Sequence, residues 1–336
     1  MAVTTTVDLR GGLDASGRPR QPLVVVDLAR VAPDGNLVAA LARHRDGIVV
    51  GVSDEALPDA PATRALLDAL DVLLAPSAPG TAHAGGRADL ATLTAVVEAA
   101  PVAAVTLKRV LRAGEGIAAD AALTLESLAY STLLAGAEFQ RWLADRDRRG
   151  GDDRPERVEV ARSDAGLTIR LARPWRRNAV DAAMRDALHD ALEIAHLDPS
   201  VEEVVLRGDG PDFSAGGDLD EFGSAGDVAV AALVRTSHSV ARSAHELGPR
   251  LRCEVHGACV GAGVEIPSFA SHVTATADAW FQLPEVRMGL VPGAGGTVGI
   301  PRRIGRWRTA YMALTAGRID AATALAWGLV DERTVP

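Results

Sequence analysis

HGACVGAGVE, residues 256–265, packs three glycines and two alanines into ten positions and closes on a carboxylate. The preceding CEVHG (253–257) reads as a strand, so the small residues sit where a strand opens into a helix. Small side chains there let a ligand approach the backbone, and the N–H groups of a first helical turn can hold an anionic oxygen. A nucleotide loop is the other reading of such a stretch. However, GAGVEI (261–266) lacks the third glycine of G-x-G-x-x-G, and G-x-x-x-x-G-K-[ST] occurs nowhere in the chain. The nucleophile-elbow pattern G-x-S-x-G is absent too, which argues against a serine hydrolase.

Outward from this stretch the pattern is α/β. LTIRLA (167–172) reads as a strand, DAAMRDALHDALEIAHL (181–197) as a helix, and VEEVVLRGDG (201–210) as the next strand and its exit. That order implies a right-handed crossover and a mostly parallel sheet, to which HVTATA (272–277) adds another strand. FSAGGDLDEF (213–222) is a second run of small residues between a strand and a helix. Two such loops can each lend an N–H to one oxygen.

The charged, glycine-bearing segment DRDRRGGDDRPER (145–157) reads as a boundary. Ahead of it, LVVVDL (23–28), GIVVGVS (47–53) and VLLAPS (72–77) are strand candidates, with LVAALARH (37–44) as a helix between two of them. Residues 100–146 are apolar at helical spacing and predict packing helices. The expected organisation is therefore a smaller α/β plus helical region over 1–147 and a second one over 156–336.

Composition narrows the class. The chain is 48% hydrophobic but 4% aromatic, so its core must be built mainly from Ala, Val and Leu, which suits helices on sheets. A net charge of −9 without a basic stripe excludes nucleic acid as an expected partner. No apolar run reaches the length of a membrane span and the N-terminus is not signal-like, so no membrane partner and a cytoplasmic location are expected. Cys253 and Cys259 bracket His256, yet the short Cys-x-x-Cys spacing and a fourth ligand are missing, so no metal is expected. His256 and His272 read as structural.

Together, GPDFSAGGDLDEF, HGACVGAGVEI, FQLPEVRMGLVPGAGGT and LTAGRIDAATALAWGLVDE resemble, in the same order, the crotonase superfamily of enoyl-CoA hydratases and isomerases. The resemblance covers roughly residues 156–336. It implies a ββα spiral core, an acyl-CoA thioester as substrate, no cofactor beyond the coenzyme A of the substrate, and a homo-oligomer, trimer or hexamer. It also implies that Glu265 and Glu285 are catalytic, and that the N–H groups of Ala215 and Ala262 form the oxyanion hole. Alanine at 262, where the family usually has glycine, keeps the N–H and sets a methyl group against the acyl chain. Substrate contacts are implied for Arg176 and Arg177, nearest Asn178 in RPWRRNA, and for Gly216, Asp218, Leu219, Pro284 and Gly293. PGAGGT (292–297) reads as a helix start beside the site.

Two glutamates suit hydration, because water must be deprotonated at one carbon while a proton reaches its neighbour. The expected activity is a 2-enoyl-CoA hydratase or dehydratase, a carbon–oxygen lyase, with Glu265 activating water and Glu285 exchanging the α-proton. Isomerisation, C–C cleavage, cofactor-free oxygenation and a non-catalytic acyl-CoA-binding subunit are the alternatives on the same scaffold. Members of the family continue past GLVDE into helices that cover the site. Here, residues 106–146 resemble that helical section but precede the core. Residues 1–147 are therefore expected to be a degenerate crotonase-like unit whose helices cover the second one.

Overall fold

The computed structural model describes residues 9, 11–31, 34–80, 83–147, 150 and 156–334. Most of the boundary segment, 148–149 and 151–155, lies outside the described residues.

The first region carries four parallel strands in sequential order: β1 (Leu23–Asp27), β2 (Ile48–Val52), β3 (Val72–Leu74) and β4 (His83–Gly85). The β-branched runs divide with period two. Val24, Val26, Val49 and Leu73 pack with Leu41, Leu66, Leu67 and Leu70 on one face. Leu23, Ile48, Val50, Val52, Val72 and Leu74 face the other way, into the main core. Both faces are covered, which is why these strands are apolar throughout rather than alternating with polar residues.

The second region has a six-stranded sheet of β5 (Val158–Arg162), β6 (Gly166–Leu171), β7 (Glu203–Gly208), β8 (Leu251–Val255), β10 (His272–Ala275) and β13 (Glu332–Arg333). Their spatial order is β13-β10-β8-β7-β6-β5, and only the β5–β6 hairpin is antiparallel. A smaller sheet holds β9 (Ala258–Val260), β11 (Trp280–Gln282) and β12 (Ile319–Asp320). The chain steps from the large sheet to the small one and then into a helical turn, first at β8-β9 and again at β10-β11. This is the ββα spiral expected from the motifs. β9 and β11 pair in parallel, so their exits lie side by side.

The two regions share one core. Leu93, Leu107 and Leu111 from the first region join Leu167, Ile169 and Leu206 from the second in one cluster. Helix Gly299–Thr315 crosses back onto the first region. Arg306 donates to the carbonyls of Leu70 (2.8 Å) and Asp68 (2.7 Å), and Trp307 Nε1 donates to Leu67 O (2.9 Å). Residues 101–144 form the helices Pro101–Ala113, Ala119–Leu134 and Ala137–Ala144. The last of these abuts the turn Glu285–Met288: a methyl group built on Gly289 would sit 2.6 Å from Phe139 N. Among the described residues, no single helix is long and apolar enough to cross a membrane.

Candidate active site

The glycine-rich stretch is small because two carboxylates and a second loop converge on it. Gly261 has φ +50° and ψ −120°, a conformation that side chains disfavour. A methyl group built on it would lie 2.5 Å from Glu285 Oε1 and 3.8 Å from Glu265 Oε1. At Gly263 the obstacle would be Ser214 O, at 2.6 Å. Gly261 N donates to Gln282 O (2.9 Å), tying the exit of β9 to that of β11. Glu265 closes the four-residue helix after β9, and Glu285 opens the turn after β11. Adjacent parallel strands thus deliver both acids to one place.

Both are buried, Glu265 at 2% exposure and Glu285 at 7%. Glu265 Oε2 accepts from Ala294 N (2.7 Å) and Gly296 N (2.9 Å). Glu285 Oε2 is buried without a partner among the described residues. Burial, then the nearby charges of Glu285 and Glu126, raise the Glu265 pKa well above the usual carboxylate range, against the pull of those two N–H groups. Burial pushes Glu285 up to about 8; the hydrogen bond from its own backbone opposes this and the charge of Glu126 adds to it.

Glu126 was not foreseen. It lies on helix Ala119–Leu134 of the first region, 2% exposed. Its carboxylate accepts from Gly295 N (2.7 Å), Thr297 N (2.8 Å) and Thr297 Oγ1 (2.6 Å). Burial raises its pKa to about 7, against these hydrogen bonds. PGAGGT is therefore not a helix start, since the helix begins at Gly299. It is a loop whose successive N–H groups alternate between Glu265 and Glu126. A signal existed: Glu126 is the sole charged residue between Asp120 and Glu138.

A cavity of about 630 Å³ opens over the pair. Gly217, Asp218, Ala262, Glu265, Glu285 and Gly293 line it from the second region, and Leu123, Glu126, Tyr130 and Leu134 from the covering helices. Tyr130 was likewise not foreseen. A methyl group built on Gly293 would overlap its ring, and burial raises the pKa of its hydroxyl.

The oxyanion assignment needs one correction. Ala215 N donates to Arg177 O (2.8 Å), so that amide is engaged, and Ala215 does not line the cavity. Two residues on, Gly217 does line it. Its parallel bridge to Val180 uses the N–H of Val180 and of Asp218, leaving Gly217 N without an acceptor among the described residues. Ala262 N, the first of its helix, also has none, and Ala262 lines the same cavity. The double glycine in FSAGGD was the available signal.

Arg176 and Arg177 are not on the cavity wall. Arg176 reaches Asp220 (3.3 Å) and Gly150 O (2.8 Å), and Arg177 reaches Asp212 (2.6 Å), so acidic neighbours already hold both. Gly216, Leu219 and Pro284 also lie off the wall, whereas Asp218 and Gly293 are on it. Asp218 is held from behind by Arg173 at 2.7 Å, which makes it a support for the 213–218 loop. His256 bonds to Gly210 O (2.9 Å), and both cysteines are buried thiols outside this site.

Known proteins match the same part of the chain. The 2,3-dehydroadipyl-CoA hydratase of Escherichia coli is 35% identical over 173 residues, covering 52% of this chain and 67% of that protein. The probable mitochondrial enoyl-CoA hydratase 2 of Arabidopsis thaliana is 32% identical over 182 residues, covering 53% and 60%. The chain thus spans about two thirds of the length of these relatives. A crystal structure of enoyl-CoA hydratase from Thermoplasma volcanium aligns with a TM-score of 0.49 at 32% identity, over 53% of this chain and 71% of that one. The family model described as enoyl-CoA hydratase/isomerase matches residues 162–336, more than half of the chain, and the chain belongs to that family, within the crotonase superfamily.

Proposed function

We propose that this chain hydrates 2-enoyl-CoA thioesters, with Glu265 and Glu285 acting on one water and the N–H groups of Gly217 and Ala262 holding the thioester oxygen. The observation that carries this reading is the convergence of two buried carboxylates within 3.8 Å of one point, beside two N–H groups without acceptors, at the floor of a cavity. Like charges this close share a proton. The N–H groups of Ala294 and Gly296 favour the anion on Glu265, and the unpartnered Oε2 of Glu285 favours the acid there.

Glu265 then takes a proton from water as its oxygen adds to the β-carbon. Charge passes to the thioester oxygen, where each N–H is worth about 3 kcal/mol in comparable oxyanion holes. Glu285 delivers its proton to the α-carbon, and the pair exchanges roles in dehydration. A double-bond isomerase needs one such acid–base group, so the retention of two at a water's reach supports hydration over isomerisation. No cofactor enters any step.

The test is turnover of crotonyl-CoA and longer 2-enoyl-CoA thioesters by the whole chain, followed through loss of the conjugated thioester absorbance. Glu265→Gln and Glu285→Gln should each lower kcat by about 10²- to 10⁴-fold while CoA binding survives. Absence of hydration across the series, or full activity in either variant, would overturn the proposal.

A further inference from the structure

Helix Val228–Ser237 brings Arg235 to the cavity wall opposite Tyr130. Its guanidinium carbon lies 4.6 Å from the centre of the Tyr130 ring, and Nη2 donates to Ser131 Oγ. Nε is buried with no acceptor. Among the described residues, no carboxylate lies within 4.0 Å of this guanidinium, whereas the other arginines on the wall are neutralised: Arg185 by Asp186 (2.7 Å) and Arg242 by Asp120 (2.6 Å). Burial disfavours the Arg235 charge, offset only in part by the fields of Tyr130 and Glu126. Arginine nevertheless stays protonated. Five donors with a single protein acceptor, on a wall that also carries Leu123, Leu134, Ala231 and Val234, leave a cation whose interacting carboxylate, Glu126, lies beyond ion-pair distance and already holds three other donors.

We infer that Arg235 receives a carboxylate at the far end of the acyl chain, so that the preferred substrates are 2-enoyl thioesters of dicarboxylic acids. This rests on the hydratase reading above. The position decides between the two ends of the substrate. Tyr130 packs on Gly293 and senses the charges of Glu285 and Glu265, so Arg235 stands one ring away from the reacting carbons. The phosphates of coenzyme A are separated from the thioester by the whole pantetheine arm. A cation on the same cavity wall as both acids, stacked on the ring that packs on Gly293, faces the acyl group. Planar guanidinium and carboxylate match in shape, and a low-dielectric wall strengthens the contact.

The experiment compares matched pairs, pentenedioyl- against pentenoyl-CoA and so on to octenedioyl- against octenoyl-CoA. The wild-type chain should favour the acid at its best length by about 10- to 100-fold in kcat/KM. Arg235→Met should bring that ratio to near unity by lowering kcat/KM for the diacid far more than for its neutral partner, with the Kd of free CoA unchanged, and Arg235→Lys should fall between. A wild-type chain that prefers the neutral partner at every length, a preference that survives in Arg235→Met, or a variant that loses affinity for free CoA would each overturn the inference. If no thioester is hydrated, the hydratase reading fails. Calorimetric binding of glutaryl-CoA against pentanoyl-CoA by the wild-type chain then still decides whether the cavity selects an acid.

Discussion

The two regions use parallel strands alike, yet they treat strand exits differently. After β1 and β2 the exit acids are satisfied: Asp27, at 8% exposure, takes the N–H of Ala29 at 3.1 Å with Arg30 3.6 Å away, and the exposed Asp54 is paired with Arg87 at 2.8 Å. After β9 and β11 the exit acids are also buried, but they converge on one point, and Glu285 Oε2 has no partner among the described residues. A strand end is therefore only a place where chemistry can be built. What sets the second pair apart is convergence without a cationic partner among the described residues, under a covering layer that comes from the other region. Among the described residues the first region shows no converging acid pair of its own, but it supplies the helices, Glu126 and Tyr130 that complete the second.

The strongest challenge to this division of labour is to separate the regions. Expressed alone, residues 156–336 should fail to give a soluble, cooperatively unfolding protein, because Ile300, Ile304 and Met312 lose the core they share with Leu93 and Leu107, and Arg306 and Trp307 lose their acceptors. Size-exclusion chromatography and circular dichroism check this. A folded, active fragment would show that the cover is dispensable.

Glu126→Ala tests the same dependence at one residue. It leaves the buried N–H groups of Gly295 and Thr297 without an acceptor, at a cost of about 1–3 kcal/mol each, and frees the loop that orients Glu265. The urea midpoint should fall, and kcat on crotonyl-CoA should drop by about tenfold, an effect carried by a side chain from the first region. Unchanged values in both would reduce Glu126 to a bystander.

The smallest effect is a pH slope. The Glu285 carboxyl ionises near 4.5 when unfolded but holds its proton to about 8 in the fold, so the folded state binds more protons over that interval. Stability must therefore fall as pH rises from about 5 to about 8. Glu285→Gln should flatten the fall, by at most about 1.4 kcal/mol per pH unit for one proton. Chemical denaturation at several pH values measures it, and parallel slopes in the two proteins would place Glu285 in a less buried setting than described.

Legibility in the sequence followed the range of the interactions. The strands of both regions were readable because burial on both faces imposes β-branched runs, as in LVVVDL and GIVVGVS. Glu265 and Glu285 were readable because each falls on a motif, HGACVGAGVEI and FQLPEVRMG, that resembles the crotonase superfamily. The oxyanion donor was misplaced by two residues, since which amide in FSAGGD is free depends on Arg177 and Val180, far away in the chain. Arg176 and Arg177 looked available because their partners, Asp220 and Asp212, are more than thirty positions on. PGAGGT resembled a helix start because its exposed N–H groups were visible, while the two carboxylates that claim them were not.

By itself, then, the sequence determined the α/β class through its periodicity, and the ββα core and the two acids through the motifs that resemble the crotonase superfamily. Only the tertiary structure decided which amides stay free, which charges stay unpaired, and that a helix from the first region closes the site. Those properties depend on partners brought together across up to 171 positions of chain, as Glu126 and Thr297 are. A lone glutamate or arginine carries no mark of the neighbour it will meet.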